Sequence, residues 1–301
     1  MNQSIIRLGT RGSKLALWQA NWAADALRQQ GHAVELIILS TDGDVLQGPL
    51  SQLGGDGLFT KRLQYALLTD EIDLAVHSLK DLPTDPVEEL NLTAVPERED
   101  VRDAFVSNDH SSLNELPPGA KVGTGSLRRG AQAKNLRPDL EILDLRGNVE
   151  TRLRKMDEGQ YDAIILACAG LQRLGLENRI RQAMPLDVML SAVGQGALGL
   201  ETRKDDQVTR EAVAKLNHPM VYRAVTAERG FLNETRAGCT APVAAHATVT
   251  GDQLQLEGAI LSPDGQQKIR QTISGAAQDA ETLGRQLARQ ILEQGGRQLL
   301  A

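Results

Sequence analysis

The stretch RAGCTAPVAA, Arg236–Ala245, sets a cysteine among residues too small to bury it. An open thiol in a turn-like segment can carry or attack a ligand. Cys168, inside AIILACAG, has instead the apolar setting of a structural cysteine. A second group of residues has the character of an anion site. In GTGSLRRGAQ, 123–132, Ser126 stands where a helix begins, and Arg128 and Arg129 fall in its first turn. Free backbone N–H groups, a hydroxyl and two guanidinium groups suit a carboxylate or phosphate. Arginines at a helix N-terminus oppose the macrodipole unless an anion is near. The bland alternative is a capped surface helix with two solvated arginines. Arg146 directly follows a strand in LRGNVETRLRK, Arg152 lies on the next helix, and Arg11 in GTRGS holds a matching place near the start. Ends of parallel strands are where open sheets bind ligands. AVHSLKDLP, 75–83, ends another apolar strand with His77, Ser78, Lys80 and Asp81. Asp81 offers a fixed negative charge to a developing cation, or the cluster simply caps a sheet edge. His77 alone reads as a satisfied structural histidine. No His/Cys spacing suits a metal, GGDGLF is no dinucleotide fingerprint, and no nucleophile elbow occurs.

The elements that must hold these residues alternate strand and helix. IIRLG, a TRGS turn and KLALWQANWAADALRQQG predict a strand and a helix capped by Ser13 and stopped at Gly31. Leu15, Trp18, Trp22 and Ala26 predict its apolar stripe. VELIILS, LFTKRLQYALLTDE and DLAVHS continue the alternation, which is the pattern of an open, largely parallel sheet. The order then recurs: KVGTGS matches RLGTRGS, LEILDLRGN echoes VELIILSTDGD, and VETRLRKMDEGQYDAIILA echoes FTKRLQYALLTDEIDLAVHS. Two similar α/β domains follow, with crossovers in PEREDVRDAF and LSAVGQGALGLE. The expected division is 1–96 plus 197–216, then 97–196, then a small α+β domain over 217–301. Its hairpin turns at PDG, and a closing helix carries Leu283, Leu287 and Ile291.

Composition narrows the classes. At 301 residues two or three domains are expected, and 41% apolar with only 3% aromatic suits a soluble α/β chain. A net charge of −6 argues against general nucleic-acid affinity. No apolar run reaches the roughly 18 residues of a membrane span. MNQSIIRLGT lacks the pattern of a signal peptide, and two cysteines in such different settings give no disulfide, so the cytoplasm is expected. Of 33 basic residues 24 are arginine, the side chain that holds carboxylates in a fork, although base composition alone can give such a skew.

GDGLFTK, DLAVHSLKDLP, EREDVRDAFVS, VGTGSLRR, LRGNVETRL, YDAIILACAGLQRLGL, AVGQGALGLE and AGCTAPVAAHA stand in this order along the chain. Together they resemble the porphobilinogen deaminase family, also called hydroxymethylbilane synthases, over essentially the whole length. The resemblance implies two periplasmic-binding-protein-like α/β domains with mixed, largely parallel sheets, plus a small α+β C-terminal domain. It implies a transferase of tetrapyrrole and heme biosynthesis that joins four porphobilinogen molecules head to tail with loss of ammonia. The primer would be a dipyrromethane cofactor, held by a thioether to Cys239, with Cys168 on a core strand. Asp81 resembles the catalytic carboxylate that contacts pyrrole N–H groups. Lys80, Asp81, Ser126, Arg128, Arg129 and Arg146 match cofactor contacts. Arg11, Arg146, Arg152, Arg173, Phe59 and Gln195 match substrate contacts. Each ring brings two carboxylates, which gives the arginine excess a purpose. A monomer with neither a nucleic-acid nor a membrane partner is expected.

Three positions depart from the family pattern. Asp56 stands in GGDG where a lysine is usual and would repel carboxylates, leaving Lys61 or Arg62 to substitute. Gly125 replaces a frequent serine. Ala237 replaces a glycine before the cysteine, which is tolerated if its φ is negative. The rival class is a non-catalytic two-domain binder of small carboxylate ligands.

Overall fold

The computed structural model describes residues 5–39, 60–237 and 241–300. The chain divides into two compact units, Met1–Arg98 with Ala197–Tyr222, and Glu99–Gly196 with Arg223–Ala301.

The first unit is built on five strands: β1 (Ile6–Thr10), β2 (Val34–Ile38), β3 (Leu74–Ser78), β4 (Leu90–Ala94) and, after the chain returns, β10 (Leu198–Arg203). Their order is β2-β1-β3-β10-β4. β1 pairs in parallel with β2 and β3, whereas β10 is antiparallel to both β3 and β4. Helix α1 (Lys14–Gln29) starts at Ser13, whose side chain accepts from Ala16 N, and stops at Gly31 with φ +88°. There Gly31 N bonds Arg28 O and His32 N bonds Leu27 O, closing the last turn. The buried stripe of α1 is not the expected one. Ala20, Ala23, Ala24 and Leu27 face the core, while Trp18 is 38% exposed. Alanines let the helix lie close on the strands, and the bulky indole moves to the flank. Helix α2 (Lys61–Leu68) buries Leu63, Ala66 and Leu67 against the Ile72 and Ala75 side of the same sheet.

The second unit repeats this plan with β5 (Asp103–Val106), β6 (Lys121–Gly123), β7 (Glu141–Leu143), β8 (Ala163–Ala167) and β9 (Gln182–Ala183) in the order β7-β6-β8-β5-β9. Two pairings are again parallel and two antiparallel. Both sheets are therefore mixed in the same proportion, because each crossover delivers its first strand, β5 or β10, in the reverse sense. Helices α3 (Leu127–Leu136), α4 (Val149–Asp157) and α5 (Cys168–Arg173) cover this sheet, and α6 (Gln207–Ala214) belongs to the first unit. Cys168 does not lie on the strand, as the resemblance implied, but opens α5 directly after β8.

Helix α7 (Pro219–Thr235) leads to an antiparallel sheet of β11 (Val243–Thr250), β12 (Gln253–Leu261) and β13 (Lys268–Ala276), covered by α8 (Ala280–Ile291). Leu283, Leu287 and Ile291 are buried on one face of α8, as their spacing predicts. This sheet packs within the second unit: Ala131 and Leu190 share a buried cluster with Ala244, Ala259 and Leu261.

Candidate functional site

In the first unit the carboxyl ends of β1 and β3 converge, as parallel neighbours must. Arg11 follows β1, and Leu79–Asp81 form a short 3₁₀ turn directly after β3. A small cavity of about 90 Å³ is lined there by Arg11, Ser13, Gln19, His77, Ser78 and Asp81, among others. Gln19, only 3% exposed, donates to the Ser78 hydroxyl at 2.8 Å. His77 has the satisfied setting expected of it, with Nε2 3.0 Å from Glu201 Oε2. The other Glu201 oxygen accepts from Gln64 Nε2 at 3.0 Å. Lys80 and Asp81 are half-buried, and Asp81 lines this cavity. Arg62 Nη2 meets Glu71 at 2.7 Å, while its Nη1 is buried without a hydrogen-bond partner among the described residues.

The second unit gathers the predicted arginines differently. Ser126 caps α3, accepting from Arg129 N at 3.5 Å. Arg128 and Arg129 are not solvated: they are 4% and 5% exposed and both meet the carboxylate of Asp103. The anion that the helix start demanded is in part the protein's own. Burial would raise the Asp103 carboxyl, but the charges of Arg128 and Arg129 outweigh it and hold the group far below the usual range. Burial lowers the Arg129 guanidinium, yet arginine starts so high that it stays cationic.

Gln195, which the resemblance matches to a substrate contact, is enclosed in this same cluster. It is 1% exposed, and its amide is spent on Val101 O, Asp103 Oδ1 and Arg129 Nη2. In a buried position of this kind it braces the arginines. Arg173 is similarly enclosed, 9% exposed, with Nη2 donating to Gly196 O at 2.7 Å. Burial pushes its guanidinium down to about 10, against the opposing pull of Glu99.

Arg146 and Arg152 remain nearer solvent. Arg146 Nε bonds Asp144, and Arg152 Nε bonds Gly147 O at 2.7 Å. Gly147 has φ +114°, and a Cβ there would come within 2.7 Å of Thr151, so only glycine makes this turn. Asn148 then caps α4, accepting from Thr151 N at 2.8 Å. At Gly125 an added Cβ would sit 2.9 Å from Leu145 O, so the strand end closes into the space a serine side chain would need.

Cys239, Phe59 and Asp56 lie outside the described residues. Near the cysteine, α7 ends at Thr235, Arg236 takes φ +51°, and Ala237 is not among the residues of positive φ. The condition for replacing glycine at 237 is therefore met. Cys168 is buried, and burial with the nearby Asp100 and Asp103 pushes its thiol up to about 12. Sequence reasoning missed Asp103, Glu201 and Glu228. Glu228 is fully buried and accepts from Gly194 N and Ala247 N. Each of the three is an acidic residue next to or within an apolar run (RDAFV, LGLETR and AVTAERGF), which is the available signal.

Among the described residues no group of His, Cys, Asp and Glu could hold a metal, and no helix is long and apolar enough to cross a membrane. Comparison with known proteins gives a consistent result. Residues 6–211 match the family described as porphobilinogen deaminase, dipyromethane cofactor binding domain, and residues 222–293 match its C-terminal domain. A curated porphobilinogen deaminase of Geobacter sulfurreducens is 52% identical over 98% of this chain and 94% of its own. That of Trichlorobacter lovleyi is 51% identical, covering 98% and 95%. Among solved structures, a nutrient binding protein from Burkholderia cenocepacia bound to methionine is similar at TM-score 0.45 and 14% identity, over 70% of this chain and 90% of that one. The matched segments take in both α/β sheets and the C-terminal sheet, and the chain belongs to the porphobilinogen deaminase family.

Proposed function

We propose that this chain condenses four porphobilinogen molecules head to tail into hydroxymethylbilane, releasing ammonia at each coupling, on a primer attached to Cys239. The observation that carries the reading is that Asp81 and Arg11 line one small cavity at the ends of β1 and β3, in a chain of this family. An arginine there suits a carboxylate side chain, and a fixed carboxylate beside it suits a pyrrole N–H bearing developing positive charge.

The dipyrromethane fits the chemistry of the donor set. Its acetate and propionate groups need cations, and Arg128 Nε is buried without a hydrogen-bond partner among the described residues. Arg128, Arg129, Ser126, Arg146 and Lys80 would hold it. When bound, it supplies the nucleophilic pyrrole carbon to which the first substrate unit is joined. Arg11, Arg146, Arg152 and Arg173 would orient substrate carboxylates, and Asp81 would stabilise the positive charge on the ring nitrogen. Phe59 would flank the site, while Gln195 acts through Arg129. A three-domain division at 1–96 with 197–216, 97–196 and 217–301, a cytoplasmic monomer, and Cys239 as the attachment point belong to the same proposal. A reversible carboxylate binder is less favoured, since such a protein has no use for a cysteine in so small-residue a stretch as RAGCTAPVAA.

The test is the intact mass of the purified chain, then the mass of the peptide containing Cys239. Two linked pyrroles on that peptide are expected. A chain that stays unmodified after incubation with porphobilinogen would overturn the proposal.

A further inference from the structure

Asp103 opens β5 with no exposed surface, and its oxygens take four hydrogen bonds. Oδ2 accepts from Arg128 Nη1 at 2.7 Å. Oδ1 accepts from Arg128 Nη2, Arg129 Nε and Gln195 Nε2 at 3.1, 2.8 and 3.0 Å. The remaining Arg129 nitrogens donate to Ile165 O and Gln195 Oε1, both at 3.2 Å. Arg128 Nη1 also reaches Leu190 O at 2.6 Å. Every guanidinium nitrogen in the cluster is thus engaged except Arg128 Nε, which has no partner among the described residues.

The charge count points the same way. Two guanidinium groups face one carboxylate, so the cluster carries one positive charge in excess, in a place where burial makes an uncompensated charge costly. A second carboxylate at position 195 would have neutralised it. The chain has a neutral amide there instead, which bridges Asp103 and Arg129 without removing the excess.

We propose that Asp103, braced by Gln195, is a positioning residue: it fixes the aim of Arg128 and Arg129 and leaves the cluster one charge in excess for a ligand carboxylate. This rests on the function proposed above. Asp103 touches no ligand itself; it acts through the two arginines, whose side chains would otherwise spread over several rotamers.

The test uses Gln195→Met, which removes the brace but keeps all three charged groups, beside Asp103→Asn, which endangers folding because it strands two buried cations. Four quantities are measured: KM and kcat with porphobilinogen on the loaded protein, the thermal midpoint, and, independently of turnover, the rate at which unloaded protein gains the two-pyrrole adduct by intact mass. Gln195→Met is expected to raise KM about tenfold with kcat within about threefold, and to slow loading, the size expected for a lost hydrogen bond to a charged group. In an Arg129→Gln background the same replacement should move KM by less than about twofold, because its partner is gone. A lower thermal midpoint with unchanged KM and loading, or effects that multiply in full, would make the cluster structural only and overturn the proposal. An unaltered chain that never gains the adduct overturns the functional reading instead, so the two failures are distinguishable.

Discussion

Nε2 of His77 and Oε2 of Glu201 lie 3.0 Å apart across neighbouring antiparallel strands, both side chains almost wholly out of solvent. Through its other oxygen Glu201 also holds Gln64, so one carboxylate ties β10 to both β3 and α2. Glu201→Leu strands the buried His77 ring and frees the half-buried Gln64 amide, and should cost about 1–3 kcal/mol. A fall in the urea midpoint at constant slope would show it. An unchanged midpoint would mean that water replaces the carboxylate at no cost.

Asp81 is half-buried in the turn after β3, and asparagine keeps its size while removing its charge, so the replacement tests chemistry more than folding. Asp81→Asn should lower kcat by about 10²–10³-fold with little change in melting temperature, the scale of a lost charge stabiliser. Steady-state kinetics that retain more than a tenth of kcat would remove Asp81 from the catalytic role.

Acid should unfold the protein through its buried carboxylates. For Asp103 burial opposes ionisation, but the charges of Arg128 and Arg129 win; for Asp73 burial likewise opposes, and hydrogen bonds from Arg7 and Arg203 win. Both groups are depressed in the folded state, so the unfolded chain binds more protons at low pH. Their stabilisation is fully present above about pH 5 and is lost as pH falls below the unfolded value of about 3.9. Urea midpoints measured between pH 7 and pH 3 should fall toward acid, and less steeply in Arg7→Gln. A flat profile would contradict the ion-pair geometry.

Arg236 adopts φ +51° at the end of α7, where glycine is the usual residue. Relief of the left-handed strain exceeds the entropy that a glycine adds to the unfolded chain, so Arg236→Gly should stabilise by about 0.5–1 kcal/mol. Thermal unfolding of the variant decides it, and a lower midpoint would mean that the arginine side chain contributes contacts outweighing the strain.

With its thiol pushed up to about 12, Cys168 should resist alkylation at pH 8 in the folded protein and react only on unfolding. Peptide mapping after brief iodoacetamide treatment would reveal label at residue 168 if this is wrong.

The alternation of strands and helices and the duplicated order of the two sheets could be read in the chain, because period and turn residues encode them locally. So could the caps at Ser13 and Gly31 and the buried face of α8. The stripe of α1 was misread because hydrophobicity ranks tryptophan above alanine, whereas a helix lying close on a sheet selects for small size. The arginines of α3 were recognisable as an anion site, but their own counterion was not. Asp103 lies 25 residues from Arg128 in the chain, and only the pairing of β5 with β8 brings it there. The same holds for His77 and Glu201, 124 residues apart. Local pattern places a charged residue on a strand; it does not say which other strand will answer it.

The insertion of β10 between β3 and β4 has a bearing on how the chain is made. When residue 94 leaves the ribosome, β4 has no partner within its sheet and β3 presents an open edge. The strand that fills the gap begins at Leu198, about 100 residues later, a delay of roughly 5–20 s at ordinary elongation rates. The five strands β5–β9 are all synthesised inside that interval, so the second α/β sheet can close first. A nascent chain stalled after β9 and before β10 would carry a finished second α/β sheet and an unfinished first one, with the edges of β3 and β4 free to pair with a neighbour.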